Sequence, residues 1–251
     1  MSNEILAGRT VVVAGGTGNV GRVLVRALFN AGATVVVPTR SSQTARAIEV
    51  AADGQRIVML PANVGDETDA VRIREDILDR FGAIHATIAT LGHFVPAPTL
   101  LGATRNDLDV TLESYPVAHF VVARTFLPAV EATAGSYVFI NGPLAFDPLF
   151  PGTGLVSVAT AAQAMLARVL MKEADEAHSR ARINEVVLYT SFGRPDDDNA
   201  TGPVTQRDVG DFIVQLLSPG NEHVRSQTIH LNERHRHASP VSRFGPRVEA
   251  R

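Results

Sequence analysis

A glycine-rich stretch near the start of the chain has the residue types and the spacing of a nucleotide-binding turn. In AGGTGNVGR, Gly15, Gly18 and Gly21 recur at every third position, and Gly16 with the last two satisfies G-x-G-x-x-G. Such glycines permit a tight turn, a close approach of the backbone to a pyrophosphate, and close helix–strand packing. A helix beginning near Asn19 would direct its free N–H groups at the phosphates. We therefore predict dinucleotide contacts from one group of residues: Gly15, Thr17, Gly18, Asn19, Val20 and Gly21.

The end of the second predicted strand bears on the choice between NAD(H) and NADP(H). An Asp or Glu at this point would bind the ribose 2′-hydroxyl of NAD(H). The chain instead has Thr39, Arg40 and Ser41. Arg40 can form a charge-assisted contact with a 2′-phosphate, and the Ser41 hydroxyl could add a hydrogen bond. These residues favour NADP(H) over NAD(H), with a solvated loop arginine as the alternative interpretation of Arg40.

The elements that would position these residues alternate between strands and helices along most of the chain. Uninterrupted apolar runs separated by helical segments are typical of a parallel sheet covered on both faces, with right-handed crossovers. We expect an α/β fold, a Rossmann-type doubly wound sheet of seven parallel strands, as a single domain over residues 1–232. The predicted strands cover residues 10–14, 34–37, 56–60, 84–90, 136–141, 182–189 and 227–231.

Two segments lack this periodicity. Residues 193–203 are polar and follow a strand, so they could form a lid. Residues 233–251 form a polar, arginine-rich C-terminal tail, which we interpret as solvated, with an arm that contacts another subunit as the alternative. The acidic and imidazole groups of these regions are also expected to be solvated, so no metal site is predicted. These groups are Asp196, Asp197 and Asp198 in the first segment, His235 and His237 in the tail, and His230 in the strand just before the tail.

The composition argues against several classes of function. The 251 residues are 45% hydrophobic and 20% charged, as in a globular protein with a full core. The net charge of −3 provides no general attraction to nucleic acid or anionic membranes. No apolar run reaches the roughly 18 residues that span a bilayer, and no leader-like segment is present. Because cysteine is absent, disulfides and thiol chemistry are excluded, and we expect a cytoplasmic protein that binds a small molecule.

The chain resembles the short-chain dehydrogenase/reductase family over about residues 8–232. The segments ARTFLP (residues 123–128) and RINEVVL (residues 182–188) match that family's framework helix and sixth strand, and ATLG (residues 89–92) lies where the family has Asn-Asn-Ala-Gly. The resemblance implies a nicotinamide cofactor, a small-molecule substrate, and a homodimer or homotetramer. It also implies further cofactor contacts: Asn63 and Val64 beside the adenine, and Ala89, Leu91 and Gly92 after the fourth strand.

The family's catalytic side chains are an asparagine, a serine, a tyrosine, and a lysine four residues after the tyrosine. Alignment of the framework segments places at these four positions Tyr115, Gly142, Val156 and Thr160. The only lysine, Lys172, has Arg168 four residues before it, so Tyr-x-x-x-Lys occurs nowhere in the chain. Tyrosine titrates near 10 unaided and needs the adjacent ammonium to act near neutral pH. We therefore expect a divergent member without this proton-transfer pair.

Three residues could replace the missing chemistry: Tyr115, Asn141 and Tyr189. Tyr115 could act as an acid near the nicotinamide, Asn141 could hydrogen-bond a carbonyl, and Tyr189 borders the same cleft, as does His93. For each of them an ordinary packing or turn role is the alternative. Pro116 should kink or restart the long helix predicted over residues 105–133, and His119 within that helix is expected to pack or to lie at the surface.

Three functions remain compatible with the sequence. The first is a divergent NADP(H)-dependent oxidoreductase that acts on a carbonyl, enone or alcohol without the usual pair. The second is a non-catalytic NADP(H)-binding sensor or partner-binding protein. The third is a non-redox cyclase or dehydratase on the same scaffold. Apolar, proline-rich residues 93–102 and 146–155 flank the expected cleft, and they favour a bulky apolar ligand in each case.

Overall fold

The fold is a seven-stranded sheet in which every strand pair is parallel. The computed structural model describes residues 4–40, 56–93, 99–149, 151–190 and 204–232. The strand order is β3-β2-β1-β4-β5-β6-β7, which confirms the predicted doubly wound architecture. The strands are β1 (Thr10–Ala14), β2 (Thr34–Thr39), β3 (Ile57–Pro61), β4 (Ala86–Ala89), β5 (Ser136–Asn141), β6 (Arg182–Leu188) and β7 (Gln227–Leu231).

Helices cover both faces of this sheet. Local capping sets several of their ends: the Asp66 side chain accepts a hydrogen bond from the Asp69 N–H at the start of α2, and Thr205 and Asp208 form a reciprocal capping box at the start of α6. The helices are α1 (Asn19–Asn30), α2 (Glu67–Phe81), α3 (Arg105–Leu112), α4 (Ala118–Ala132), α5 (Gly154–Glu176) and α6 (Gln206–Leu217).

The helical region predicted over residues 105–133 consists of three elements. A π-helical turn, Glu113–Val117, separates α3 from α4 and contains Pro116. Proline has no N–H and its ring clashes with the preceding turn, so regular α-helical bonding cannot pass through this position. The regular α-helix is thus interrupted at Pro116 and begins again at Ala118, in line with the expected restart.

Two apolar layers hold the helices on the sheet. Side chains alternate along β1, so that Val11 and Val13 pack in the layer of α1 and α6, whereas Val12 packs in the layer of α2, α4 and α5. Leu28 of α1 and Phe126 of α4 are fully buried in these two layers. Burial on both faces explains why the strands read as continuous apolar runs in the sequence.

Contrary to the expectation that no apolar run is long enough, helix α5 could cross a membrane by length and composition alone. Its most apolar 18 residues have a mean hydropathy of 1.5, but 44% of that window is buried inside the protein. Core helices of soluble proteins pass the same test, and α5 packs on β5 and β6. Its place over the sheet therefore explains the apolar residues of its buried face.

The chain reverses its direction of strand addition between β1 and β4. From β1 it runs outward to β2 and β3, and then returns to place β4 on the other side of β1. The register pairs Ala14, the last residue of β1, with Ala89, the last residue of β4. In open parallel sheets, ligands bind in the crevice at the carboxyl ends of the strands at such a reversal.

Candidate functional site

The glycine turn lies at this reversal point and leads directly into α1. Gly16 N–H donates to Val13 O over 3.1 Å and Gly18 N–H donates to Gly15 O over 3.0 Å, which closes the turn. Helix α1 begins at Asn19 without a side-chain cap, so its first N–H groups lack intrahelical partners. Free N–H groups and a positive dipole end at this place are suited to a pyrophosphate.

The turn is too crowded for any side chain at two of its glycines. Gly15 has a φ of +85°, and a Cβ atom there would lie 2.2 Å from Thr90 O. A Cβ atom at Gly21 would lie 2.1 Å from Gly15 O. Glycine is therefore required at both positions. At Gly15 it lets the turn lie close to the loop after β4, and at Gly21 it lets α1 lie close to the turn. The backbone fits a dinucleotide cradle, as predicted from the spacing.

Arg22 belongs to this turn although the sequence analysis did not single it out. Its Nε–H donates to Thr17 O over 2.9 Å, so the guanidinium folds back along the first turn of α1. The position of Arg22 directly after Gly21 could have indicated this contact. An arginine on a helix surface is usually solvated, however, so its position alone predicts no role.

The predicted adenine-side residues follow β2 and β3. Thr39 ends β2 and is buried, and Arg40 follows it at the surface. Ser41 lies outside the described residues. Asn63 is exposed, its N–H donates to Asp69 Oδ2 over 2.8 Å, and Val64 beside it is buried. Arg40 and Asn63 are thus accessible from neighbouring strand ends, and their contacts with a cofactor stay predictions.

A cavity of about 300 Å³ opens beside the turn at the ends of β4, β5 and β6. It brings together most residues that the sequence placed near the reactive end of the cofactor: Val20, Leu91, Gly92, Tyr115, Asn141, Gly142, Val156 and Thr160. Seven further residues complete its wall without having been predicted: Thr90, Ile140, Pro143, Leu144, Gln163, Leu188 and Thr190. Ala89, also predicted, is buried in the core at the end of β4.

Tyr115 is wedged between the loop after β4 and α5. A Cβ atom at Gly92 would lie 2.3 to 2.6 Å from three atoms of the Tyr115 ring, so the ring packs directly on that glycine. On its other side Tyr115 clusters with Val156 and Ala159 of α5. Burial raises the pKa of the Tyr115 phenol to about 12. At neutral pH the group is therefore a neutral phenol that can donate a hydrogen bond.

The polar groups of Asn141 and Thr160 are occupied by the protein itself. Asn141 Nδ2 donates to Glu185 Oε1 over 2.9 Å and to Thr160 O over 3.2 Å, and its Oδ1 accepts from Gly142 N–H. Thr160 Oγ1 donates to Val156 O over 2.7 Å. Both amide protons of Asn141 are therefore in use, which weakens its predicted role as a donor to a substrate carbonyl.

Tyr189, the third predicted replacement, is not among the residues that line this cavity. Its Oη lies 2.9 Å from His230 Nδ1 on β7, and the His230 ring also contacts Phe146 at 5.0 Å between centroids. Burial, followed by the charge of Arg168, lowers the pKa of His230. His93 is exposed and does not line the cavity either.

His119 packs in the core, one of the two placements expected for it. Its Nε2 lies 3.3 Å from Leu91 O, and because a carbonyl only accepts, this nitrogen carries the proton. Burial lowers the pKa of His119 to about 4, so the ring is neutral near pH 7. It braces the backbone of the loop after β4 beside the cavity.

Comparison with known proteins shows the family. The profile described as short chain dehydrogenase matches residues 9–190. The chain belongs to the short-chain dehydrogenase family. Among curated relatives, the mouse L-fucose dehydrogenase is 27% identical over 54% of this chain and 49% of its own, and the human mitochondrial dehydrogenase/reductase SDR family member 2 is 25% identical over 76% and 69%. The chain thus matches about half the length of the fucose dehydrogenases.

Solved structures of short-chain dehydrogenases share the fold over nearly the whole chain. A short-chain dehydrogenase of Burkholderia cenocepacia in complex with NADP has a TM-score of 0.78 and 19% identity, over 91% of this chain and 98% of that one. The citronellol catabolism dehydrogenase of Pseudomonas aeruginosa has a TM-score of 0.76 and 25% identity, over 93% and 97%. A nicotinamide cofactor is accordingly the one to expect in this short-chain dehydrogenase.

No lysine can reach the cavity of this short-chain dehydrogenase. Lys172 is the only lysine of the chain, its side chain is 79% exposed, and it lies 3.8 Å from Glu176 at the far end of α5. Val156 and Thr160 occupy the stretch of α5 that faces the cavity.

Among the described residues no group of three metal-binding side chains is present.

Proposed function

We propose that this chain is an NADP(H)-dependent oxidoreductase that reduces the conjugated carbon–carbon double bond of an apolar enal or enone. The observation that carries the proposal is the cavity beside the glycine turn, with Tyr115 in a mainly apolar wall. Arg40 at the end of β2 and the NADP-bound structural neighbour support the choice of NADP(H). The relative named for citronellol catabolism supports an apolar substrate.

The cofactor, when bound, supplies a hydride. The turn around Gly15 and Gly21 would hold its pyrophosphate, and Arg40 would hold the 2′-phosphate. Tyr115 Oη would donate a hydrogen bond to the substrate oxygen and keep its proton, because burial raises its pKa to about 12. A conjugated acceptor suits this site. Hydride would add to its β-carbon and break the carbon–carbon double bond, and the enolate that results shares its negative charge between the oxygen and the α-carbon. Water can then supply the proton to the α-carbon.

The lining of the cavity argues against a sugar such as L-fucose. Side chains of Val20, Leu91, Ile140, Leu144 and Leu188 form much of the wall. Each sugar hydroxyl buried against them without a partner would cost about 1–3 kcal/mol. The sugar named for the fucose dehydrogenases is therefore a poor candidate for the substrate of this chain. An apolar enal or enone is the better candidate.

The test is NADPH oxidation at 340 nm with matched pairs of substrates. Citral and its saturated counterpart citronellal differ by the conjugated double bond, and we expect turnover of citral to exceed that of citronellal. In Tyr115→Phe we expect kcat to fall by roughly 10² or more, as when one oxyanion donor is removed, with the Kd for NADPH unchanged. NADPH binding without turnover of any conjugated carbonyl would overturn the proposal.

That outcome would instead support a non-catalytic NADP(H) sensor. Two observations favour this second function. Asn141 and Thr160 donate their protons to the protein itself. Among the residues that the structure describes, no cation lowers the pKa of Tyr115. A sensor would gain thermal stability with NADPH in proportion to RT ln(1 + [L]/Kd), with no consumption of cofactor.

We also infer that the chain forms a homodimer or homotetramer. Val158, Met165 and Val169 are 45%, 55% and 45% exposed and lie on one side of α5, seven and four residues apart. An apolar stripe of this kind is unfavourable in water. We expect sedimentation analysis to show an oligomer that Met165→Glu converts to monomer, and a monomeric parent chain would refute the inference.

A further inference from the structure

A buried carboxyl group lies directly behind the cavity. Glu185, in the middle of β6, has none of its surface exposed to solvent. Its Oε1 accepts from Asn141 Nδ2 over 2.9 Å, and its Oε2 accepts from Thr228 Oγ1 over 3.0 Å. A carboxylate is costly to bury and is rarely found inside unless it is paired. The burial of a glutamate on this interior strand, next to the edge strand β7, therefore needs an explanation.

Asn141 connects this carboxyl to the cavity wall. It is the last residue of β5, and its single amide group makes three hydrogen bonds to three places: Glu185 on β6, Thr160 O on α5, and the N–H of Gly142. Asn141, Gly142 and Thr160 all line the cavity. Because a carboxylate only accepts, it requires Nδ2 towards β6 and Oδ1 towards Gly142, the same orientation that Thr160 O and the Gly142 N–H require.

A second contact fastens the same helix to the same strand. Gln163, one turn after Thr160 and also buried, donates from Nε2 to Ile140 O over 2.9 Å. The face of α5 that borders the cavity is thus held to the end of β5 by side-chain amides from both elements. If the Asn141 amide rotated, Oδ1 would face Thr160 O and the Glu185 carboxylate, and both contacts would become repulsive.

We propose that Glu185 is a positioning residue for the cavity. Its carboxyl group holds the Asn141 amide in one orientation, and Asn141 in turn sets the distance between the end of β5 and α5 and the direction of the Gly142 N–H. Glu185 touches no ligand in this proposal. It acts through Asn141, and the inference holds whether the bound molecule is reduced or only retained.

The charged and titratable groups around Glu185 come from two elements. Arg168 of α5 acts on it through its charge, and His230 lies two residues beyond Thr228 on β7. Burial raises the pKa of the Glu185 carboxyl, while the hydrogen bonds from Asn141 and Thr228 act in the opposite direction. Asn141 should therefore sense the titration of Glu185 in the wild-type chain.

The test compares Glu185→Gln, Glu185→Leu and the matched control Thr228→Val in chains labelled with ¹⁵N-asparagine. Gln keeps an acceptor for Asn141, Leu removes it, and Thr228→Val removes only the other bond to the carboxyl. In Glu185→Leu we expect the Asn141 side-chain protons to exchange with solvent about 10-fold faster or more, because Nδ2 loses its acceptor on β6. Glu185→Gln and Thr228→Val should exchange at about the wild-type rate. The Kd for NADPH should rise in Glu185→Leu alone.

A pH titration provides a second measurement that does not depend on the Leu variant folding. The Asn141 Nδ2 resonance should shift with pH in the wild type, and this step should be absent in Glu185→Gln, whereas any step from His230 remains in both. Unchanged exchange in Glu185→Leu, an equal effect in Thr228→Val, or identical titrations would overturn the proposal. If no chain binds NADPH, the proposed function fails, and the amide measurements still decide the role of Glu185.

Discussion

The contact between Gly92 and Tyr115 predicts a strong energetic coupling. Gly92 has a φ of +106°, and a Cβ atom there would lie 2.3 Å from the nearest Tyr115 ring atom, where ordinary contact begins at 3.4 Å. In Gly92→Ala the ring must therefore move by about 1 Å. Backbone strain should cost about 1–2 kcal/mol and overpacking of the buried ring about 1–3 kcal/mol. We expect a total loss of about 2–5 kcal/mol in the free energy of unfolding.

A double-mutant cycle separates these two contributions. Tyr115→Ala removes the ring, so adding Gly92→Ala to it should cost only the backbone strain, about 1–2 kcal/mol. The coupling energy should therefore be about 1–3 kcal/mol. The measurement is urea unfolding at fixed protein concentration, followed by far-UV circular dichroism because the chain contains no tryptophan.

Gly82→Ala is the matched control for this cycle. Gly82 also has a positive φ, of +74°, but a Cβ atom there would meet nothing within 4 Å. It should cost the strain alone and show no coupling to Tyr115→Ala. If Gly92→Ala costs the same with and without the Tyr115 ring, the ring is not held against Gly92, and the described wall of the cavity is wrong.

Three further predictions concern the cofactor cradle and the core. Arg40→Ala should raise the Kd for NADPH about 10-fold, because a charged hydrogen bond worth about 1.5 kcal/mol is lost. Calorimetry should show an unchanged Kd for NADH. Equal losses of affinity for both cofactors would refute a 2′-phosphate contact. Gly21→Ala should abolish calorimetric binding of both cofactors, because its Cβ would lie 2.1 Å from Gly15 O; retained binding would contradict the cradle. His119 should make stability depend on pH, since its folded pKa of about 4 lies below the ordinary 6.5. The neutral ring's contribution is complete above pH 6.5 and falls by about 3 kcal/mol as the pH drops to 4, and urea titrations of His119→Phe should lack this slope.

Much of the fold could be predicted because its causes are local. Three local features indicated most of it: the apolar runs of the seven strands, the spacing of the glycines, and the proline in the helical region. Each of them affects the structure of residues close to it in the sequence. Boundaries were less accurate: β4 is Ala86–Ala89 where residues 84–90 were predicted, and β2 continues through Pro38 to Thr39. Pro38 is tolerated there because β2 pairs with β1 only as far as Val36, so the missing N–H breaks no bond to β1.

The candidate site was predicted in outline but not in its hydrogen bonding. The family resemblance implied that Tyr115, Val156 and Thr160 face one cleft, and all three line the cavity. The same reasoning treated Asn141 as a free donor and left out Glu185 and Gln163. A buried polar residue on a strand has no periodic signature, so nothing in the pattern indicated that these side chains satisfy one another.

The sequence by itself determined the glycine turn, the parallel sheet and the absence of a Tyr-x-x-x-Lys pair, since the only lysine is Lys172. Composition and short-range spacing decide each of these features. Only the tertiary structure decided which polar groups are already paired. Asn141 bonds to Glu185 across 44 positions of the chain, and Tyr189 bonds to His230 across 41. Such partners meet only after β5, β6 and β7 have assembled side by side, and the strand register that joins them is a property of the whole sheet.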